Sequence, residues 1–381
     1  MIERTVARLM SRDGRPGKIT ILYGPRQVGK TTLARAWMAL RSGRSTYYNC
    51  DQASVRDQLR EANLAPLAAL VNGYDTIVFD EAQRVEDIGL KLKILIDNFP
   101  QKSILATGSS SFELANKIAE PLTGRFRAFQ LYPIGELELR MARNLIEINE
   151  TLESRLIYGG YPEVVEANAV EEKLASIGAI ADTYLFQDVL GFQGLKRADF
   201  LRDLTRLLAF QTGSEVSMTE LGDKLSADKK TIARYIELLC RTFVIYPLSA
   251  FVGSGRFEQR KSITRYKKYF FYDLGVRNAL INNFNPLHAR DDIGPLWENY
   301  LLNERIKAHQ AFSRRVNMHF WRTQSGAEVD LIEEANGHLS LFEFKWSADK
   351  INRRLGAATT EIFQQAPSVI HRDNYVPFVT E

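Results

Sequence analysis

The sequence predicts an α/β chain that opens on a parallel sheet with helices on both faces, and three observations carry that expectation. Short apolar runs at 19–23, 45–49, 76–79, 103–107 and 126–131 alternate with helical stretches. That order gives parallel strands joined by crossover helices. The first run leads into Gly24-Pro25-Arg26-Gln27-Val28-Gly29-Lys30-Thr31-Thr32, and the third ends in two acids, Asp80 and Glu81.

The bulk properties set limits on these readings. With 381 residues, the chain has room for about two or three domains. A hydrophobic share of 45% and a charged share of 25% are those of a globular protein rather than a disordered one. A net charge of +4 permits nucleic-acid binding without arguing for it. The two cysteines, Cys50 and Cys240, are too far apart to suggest a disulfide or metal framework, which favours a reducing compartment. The five histidines (His288, His309, His319, His338 and His371) lack ligand spacing. The N-terminus shows no apolar signal segment, and no uncharged apolar run approaches a membrane span. The expectation is a cytoplasmic protein with no membrane partner.

Ile2, Val6 and Leu9 recur at helical spacing, so a lead helix precedes the first strand. Residues 24–32 then carry the pattern G-x-x-x-x-G-K-T between an apolar strand and a helix, the context a phosphate-binding loop requires. Its glycines let successive N–H groups converge on phosphates, and the helix start adds its positive dipole end. Lys30 supplies a point charge toward the β- and γ-phosphates, and the Thr31 hydroxyl is a ligand for Mg²⁺. ATP and Mg²⁺ are the implied cofactors.

The run Thr76 to Phe79 places Asp80 and Glu81 beyond the carboxyl end of its strand, where ligands of such sheets sit. Asp80 is placed to hold the Mg²⁺ hydration shell and Glu81 to activate the attacking water. The stretch Ile104 to Ser109 ends in small polar residues. Thr107 or Ser109 could lie between the two acids and sense the γ-phosphate; the alternative is a strand-to-helix turn capped by Ser110 or Ser111. Arg125, after Leu122-Thr123-Gly124, is either an arginine finger reaching a neighbouring subunit of a homo-oligomer or a plain surface arginine.

Gly24 to Thr32, Thr76 to Gln83, the 104–109 stretch and Gly124-Arg125 followed by Leu131-Tyr132-Pro133 together resemble a prokaryotic family of AAA-type ATPases. The members of that family carry a C-terminal domain of formerly unknown function similar to PD-(D/E)XK nucleases. The resemblance covers nearly the whole chain. It implies an AAA-like ATPase core over 1–135, a helical lid or connector over 136–198, a winged-helix module over 199–272 and an α+β restriction-endonuclease-like domain over 273–381. Many AAA proteins have Asn at the sensing position where this chain offers Thr107 or Ser109, and no second sensor arginine stands out.

Residues 134–198 read as helical, with a break at Gly159-Gly160-Tyr161-Pro162. Helices at 200–210, 217–225 and 231–239 follow, the second opened by Ser217 with Glu220 three residues on. With the apolar hairpin after them, this is the order of a winged helix. Lys229, Lys230, Thr231 and Arg234 would then lead into a DNA major groove. The hairpin's connecting stretch, with Arg256, Arg260, Lys261, Arg265, Lys267 and Lys268, would neutralise phosphates. A solvated basic loop on a protein-binding domain is the alternative.

Asn336-Gly337, between two alternating strands, is a strong hairpin signal. If these two form the turn, Ala335 pairs with His338, Asp330 falls opposite Glu343, and Glu328 falls opposite Lys345. Glu328, Asp330, Glu343 and Lys345 share one face, and Ala327, Val329, Leu331, Phe342, Phe344 and Trp346 share the core face. Opposed carboxylates about 5 Å apart at Cβ repel, and a divalent metal would call for such a pair. Lys345 could then stabilise a scissile phosphate, with Glu298, or Glu304, as a further carboxylate from the preceding helix. The D…E-x-K set of Asp330, Glu343 and Lys345 resembles the PD-(D/E)XK core. The leading expectation is an ATP-hydrolysing protein that binds or processes DNA, with nuclease activity a separate question. The other is a nucleotide-gated switch whose C-terminal half is a protein-binding module on an inactive nuclease fold.

Overall fold

A computed structural model describes residues 2–14, 16–109, 122–183, 198–251, 267–323, 326–348 and 353–381. Ser110, Ser111, Arg256, Arg260, Lys261 and Arg265, named above as a cap and as phosphate contacts, lie outside the described residues. The chain forms two compact units, residues 1–134 with 241–243, and residues 135–240 with 244–381.

The first unit holds five parallel strands: β1 (Ile19–Tyr23), β2 (Ser45–Asn49), β3 (Thr76–Asp80), β4 (Ser103–Gly108) and β5 (Phe126–Gln130). Their order across the sheet is β2-β3-β4-β1-β5. The β-branched and aromatic runs expected from the sequence thus become the strands, and the most apolar of them fill the middle. Every residue of β3 is buried, which suits a strand covered on both faces. Ile21, Ile77, Phe79, Ile104 and Ala106 pack with Leu67, Val71, Leu92 and Leu95 from the helices Leu64–Val71 and Ile88–Asn98. The helices Thr5–Asp13 and Lys30–Ala39 also pack on this sheet, the first against β5 and the second against β3 and β4. This order matters for chemistry. It sets β1, β4 and β3 side by side, so the loop after β1, the end of β4 and the acids at the end of β3 meet at one edge of the sheet.

The second unit is built on a mixed sheet in the order β11-β10-β9-β8-β6-β7. Its strands are β6 (Ile245–Ala250), β7 (Lys267–Phe271), β8 (Asn317–Arg322), β9 (Glu328–Ala335), β10 (His338–Phe344) and β11 (Ser368–Ile370). The three helices expected ahead of the hairpin are present at Ala198–Phe210, Met218–Leu225 and Lys229–Arg241. The hairpin, however, is not a free wing. β6 pairs antiparallel with β7 and also runs parallel to β8. The boundary expected at 272/273 therefore cuts through a single sheet. Sequence separation hid this, because β6 and β8 are joined only after a long helical excursion.

The β9–β10 hairpin has the register deduced from its turn: His338 faces Ala335, and the pairing runs on to Phe342 and Leu331. Asn336 and Gly337 both have positive φ, 52° and 79°, as a type I′ turn requires. One part of the deduction fails. His319 of β8 faces Ile332 while Trp321 faces Val329, so β9 carries one extra residue between the two pairs. That bulge sends Val329 and Ala327 to a core with Trp321, Ile332, Leu341 and Leu355, while Leu331, Phe342, Phe344 and Trp346 pack into the main core. Strict alternation in the sequence cannot reveal an extra residue.

Candidate functional site

Residues 24–32 curl as a nest at the start of the helix Lys30–Ala39. Gly29 is its N-cap with φ 99°, and a Cβ on Gly24 would lie 2.2 Å from the Leu131 carbonyl oxygen, so only glycine fits there. Val28 is buried. The Lys30 ammonium, 4% exposed, donates to the Gly24 and Pro25 carbonyls at 3.1 and 2.7 Å. It is therefore held inside the curl by weak neutral acceptors that a phosphate would outcompete. Pro25 is buried with it, whereas Gln27, Thr31 and Thr32 face outward and Arg26 is half-buried.

Asp80 is the hub of the site. The Thr31 hydroxyl donates to its Oδ2 at 2.7 Å. Tyr47 donates to the same oxygen, and Thr107 donates to Oδ1. Asp80 is 3% exposed and makes no ion pair among the described residues. A buried carboxylate held only by hydroxyls, with the threonine of the phosphate loop on it, fits a divalent cation beside a bound triphosphate. Thr107 also accepts the Glu81 N–H at 3.0 Å. Of the two hydroxyls weighed above, Thr107 is the one lying between the two acids. Ser109 instead accepts the Gln83 side-chain amide at 3.0 Å, and the same amide holds a Glu81 carboxylate oxygen at 2.6 Å. Glu81 has φ 53°, the left-handed conformation that non-glycine residues adopt mainly where structure demands it.

Sequence reasoning missed two members of this site. Tyr47 lies on β2, two positions diagonally from Asp80 across the β2–β3 pair, and the Arg35 guanidinium stacks over its ring at 4.9 Å. Burial first, and then the bond to Asp80, pushes the Tyr47 phenol up to about 12. Arg4, on the lead segment, donates to the Val28 carbonyl at 3.0 Å and to the Tyr132 carbonyl. Neither residue could be found without the strand order. Arg125 precedes β5 and therefore lies at the amino edge of the sheet, opposite the phosphate loop; its guanidinium pairs with Asp97 at 2.6 Å.

In the second unit the Lys229–Arg241 helix presents Lys229, Lys230 and Arg234 to solvent. They line an open depression of about 500 Å³ together with Asp228 and Thr231. Thr231 is already engaged: its N–H and hydroxyl both donate to the Asp228 carboxylate, at 2.8 and 3.0 Å, so Asp228 caps the helix. Lys268, counted above with the basic loop, is 1% exposed and points inward. Its ammonium donates to Glu298 at 2.9 Å and to Glu328.

Around it lie the other expected acids. Phe344 N–H donates to Asp330 at 2.7 Å, and Lys345 pairs with Glu343 at 2.7 Å. Burial, and then repulsion from Asp330, pushes Glu343 up to about 7. Burial, with Lys268 opposing it, pushes Glu298 up to about 8. Burial also raises Asp330. Burial works against the Lys268 charge, but Glu298 and Glu328 more than offset it and hold Lys268 above the ordinary lysine range. Glu298, Asp330 and Glu343 do share one cluster. Yet among the described residues no three His, Cys, Asp or Glu side chains are arranged to hold a metal. Glu298 and Glu328 are taken by Lys268, and the set as arranged does not fit a divalent cation. Glu304 is elsewhere, accepting the Glu136 N–H at 2.5 Å and pairing with Lys307. His309 is a structural partner, 2.7 Å from Glu333.

Comparison with known proteins gives the class. Residues 16–139, nearly all of the first unit, match the AAA domain family. Residues 149–287 and 293–375 match two families described as domains of unknown function, DUF8612 and DUF4143. The particular relatives are uncharacterized proteins. One from Mycobacterium tuberculosis is 28% identical over 365 residues, covering 94% of this chain and 77% of that protein. One from Haemophilus influenzae is 27% identical over 54% of this chain and 52% of that protein. Among solved structures, the Thermotoga maritima RuvB Holliday junction branch migration motor is 17% identical with a TM-score of 0.32, covering 64% of this chain and 89% of that one. Among the described residues no helix is long and apolar enough to cross a membrane.

Proposed function

We propose that the chain binds ATP with Mg²⁺ in the curl of residues 24–32 and hydrolyses it. The observation that carries this reading is the single hydrogen-bonded array joining Thr31, Asp80, Thr107 and Glu81. Main-chain N–H groups and Lys30 hold the phosphates, and Thr31 and Asp80 hold the cation. The cation, when bound, neutralises charge developing on the β- and γ-phosphate oxygens. Glu81, oriented by Gln83 and by its own N–H on Thr107, positions the attacking water and takes its proton. Glu81→Gln should lower turnover by about 10²–10⁴-fold while ATP still binds. An unchanged rate of phosphate release would remove Glu81 from this role. Arg125 is proposed to act on a neighbouring subunit.

The second part of the reading is that the exposed Lys229, Lys230 and Arg234 engage DNA backbone, with nucleotide turnover coupled to that grip. Affinity for duplex DNA should then fall with salt at about 0.9 log units per phosphate neutralised. Lys230→Ala with Arg234→Ala should weaken binding and make that slope shallower by about 2 units. Affinity insensitive to salt would favour the other reading, a nucleotide-gated switch that binds protein. The inward-turned Lys268 favours a second unit that binds rather than cuts, and no hydrolytic step is derived at Asp330, Glu343 and Lys345.

A further inference from the structure

Four acids and two lysines meet where the helix Ile293–Ala311 crosses β9 and β10: Glu298, Glu328, Asp330 and Glu343, with Lys268 and Lys345. The two lysines are unlike. Lys345 is 39% exposed at its side chain and can swing into solvent. Lys268 is fully enclosed, its ammonium 5.2 Å from the Phe320 ring centroid and within hydrogen-bond reach of carboxylates from two different elements. One point charge joining an acid on a helix to an acid on a hairpin is the work a bridging metal does. Here the charge is tethered to β7 by the chain itself, and its backbone is locked by pairing with Leu248. The acids also have a lid. A Cβ on Gly213 would come within 2.7 Å of the Glu298 Oε2, so the loop before Glu215 lies directly on that carboxylate. Mg²⁺ demands near-ideal octahedral oxygens at about 2.1 Å. To enter, it would have to strand the Lys268 ammonium in a dry site without its partners.

We propose that Lys268 is the resident cation of this cluster. Its ammonium stands between Glu298 and Glu328 where a divalent metal would otherwise join them, and these acids therefore hold no metal in the native protein. This stands independently of the nucleotide site. The cluster is an internal ion network that fixes the Ile293–Ala311 helix to the hairpin, and the second unit contributes a rigid platform rather than metal-assisted phosphodiester hydrolysis.

The test is Mn²⁺ titration of the full-length, metal-stripped, nucleotide-free protein, read by electron paramagnetic resonance. The native protein and Asp330→Asn should bind the same number of Mn²⁺ ions. Lys268→Met should gain one site, at least tenfold tighter than any residual binding, and the added Asp330→Asn should remove it. Lys268→Gln, which keeps the length and polarity of the stem, repeats the test if the methionine variant does not fold. A native Mn²⁺ ion that disappears in Asp330→Asn would overturn the proposal. So would a folded Lys268 variant with no new site. If neither lysine variant folds, equal Mn²⁺ binding by the native and Asp330→Asn proteins still supports it, and unequal binding overturns it.

Discussion

Lys30→Ala should abolish measurable ATP turnover and weaken ATP binding by about 10–100-fold, the equivalent of one hydrogen bond to a charged partner at about 1.5–3 kcal/mol. The structure explains why the effect should fall on the ligand and not on the fold. The Lys30 ammonium donates to the Gly24 and Pro25 carbonyls of its own loop. Losing it frees two carbonyl acceptors within the loop. A fluorescent ATP analogue measures the affinity and released phosphate the rate, with a melting curve as the control for folding. A variant that still binds and turns over ATP as the native chain does would remove the phosphate-loop assignment, and the enzymatic reading would go with it.

The second large effect concerns stability. Glu136 has a fully buried side chain, and each carboxylate oxygen holds one arginine and one tyrosine. Arg140 is at 2.6 Å and the Tyr375 hydroxyl at 3.0 Å from one oxygen; Arg155 is at 2.6 Å and the Tyr300 hydroxyl at 2.7 Å from the other. Burial opposes the Arg155 charge, yet Tyr300 and Glu136 hold its guanidinium above the ordinary range. Glu136→Ala leaves that arginine charged, buried and unmatched. The expected loss is about 3–5 kcal/mol, which for a unit of this size is a fall in melting temperature of about 10 °C. Replacing Arg155 by Met in the same chain should recover part of the loss, because it removes the stranded buried charge. Urea denaturation of the single and double variants decides it. A single variant as stable as the native protein would show that the network is ornamental.

The nucleotide half was legible from the sequence because its signals are local. A phosphate loop is a contiguous string between a strand and a helix, and Asp80 and Glu81 follow their strand directly. The hairpin at Asn336-Gly337 was legible for the same reason, since a two-residue turn fixes register by counting. What the sequence hid depends on distant neighbours. Tyr47 reaches Asp80 only because β2 lies beside β3. Lys268 reads as one more positive charge in a basic stretch, and no pattern in 251–272 says that this lysine points into acids contributed some 30 and 60 residues later. The bulge in β9 redistributed Val329 and Ala327 without a glycine or proline to announce it. The six-stranded sheet joined segments that the sequence assigns to two modules, because strand order is a global property.

Arg4 has a practical corollary for anyone preparing this protein. Its guanidinium ties the Val28 carbonyl of the phosphate loop to the Tyr132 carbonyl just past β5, so the opening residues act as a strut. A recombinant design that trims the first dozen residues as a dispensable leader, or a bacterial lysate whose exopeptidases nibble them, would yield material that looks intact on a gel yet has an unbraced loop. Weak nucleotide affinity in such a preparation would be an artefact of handling, and intact-mass measurement of the purified chain should precede any assay.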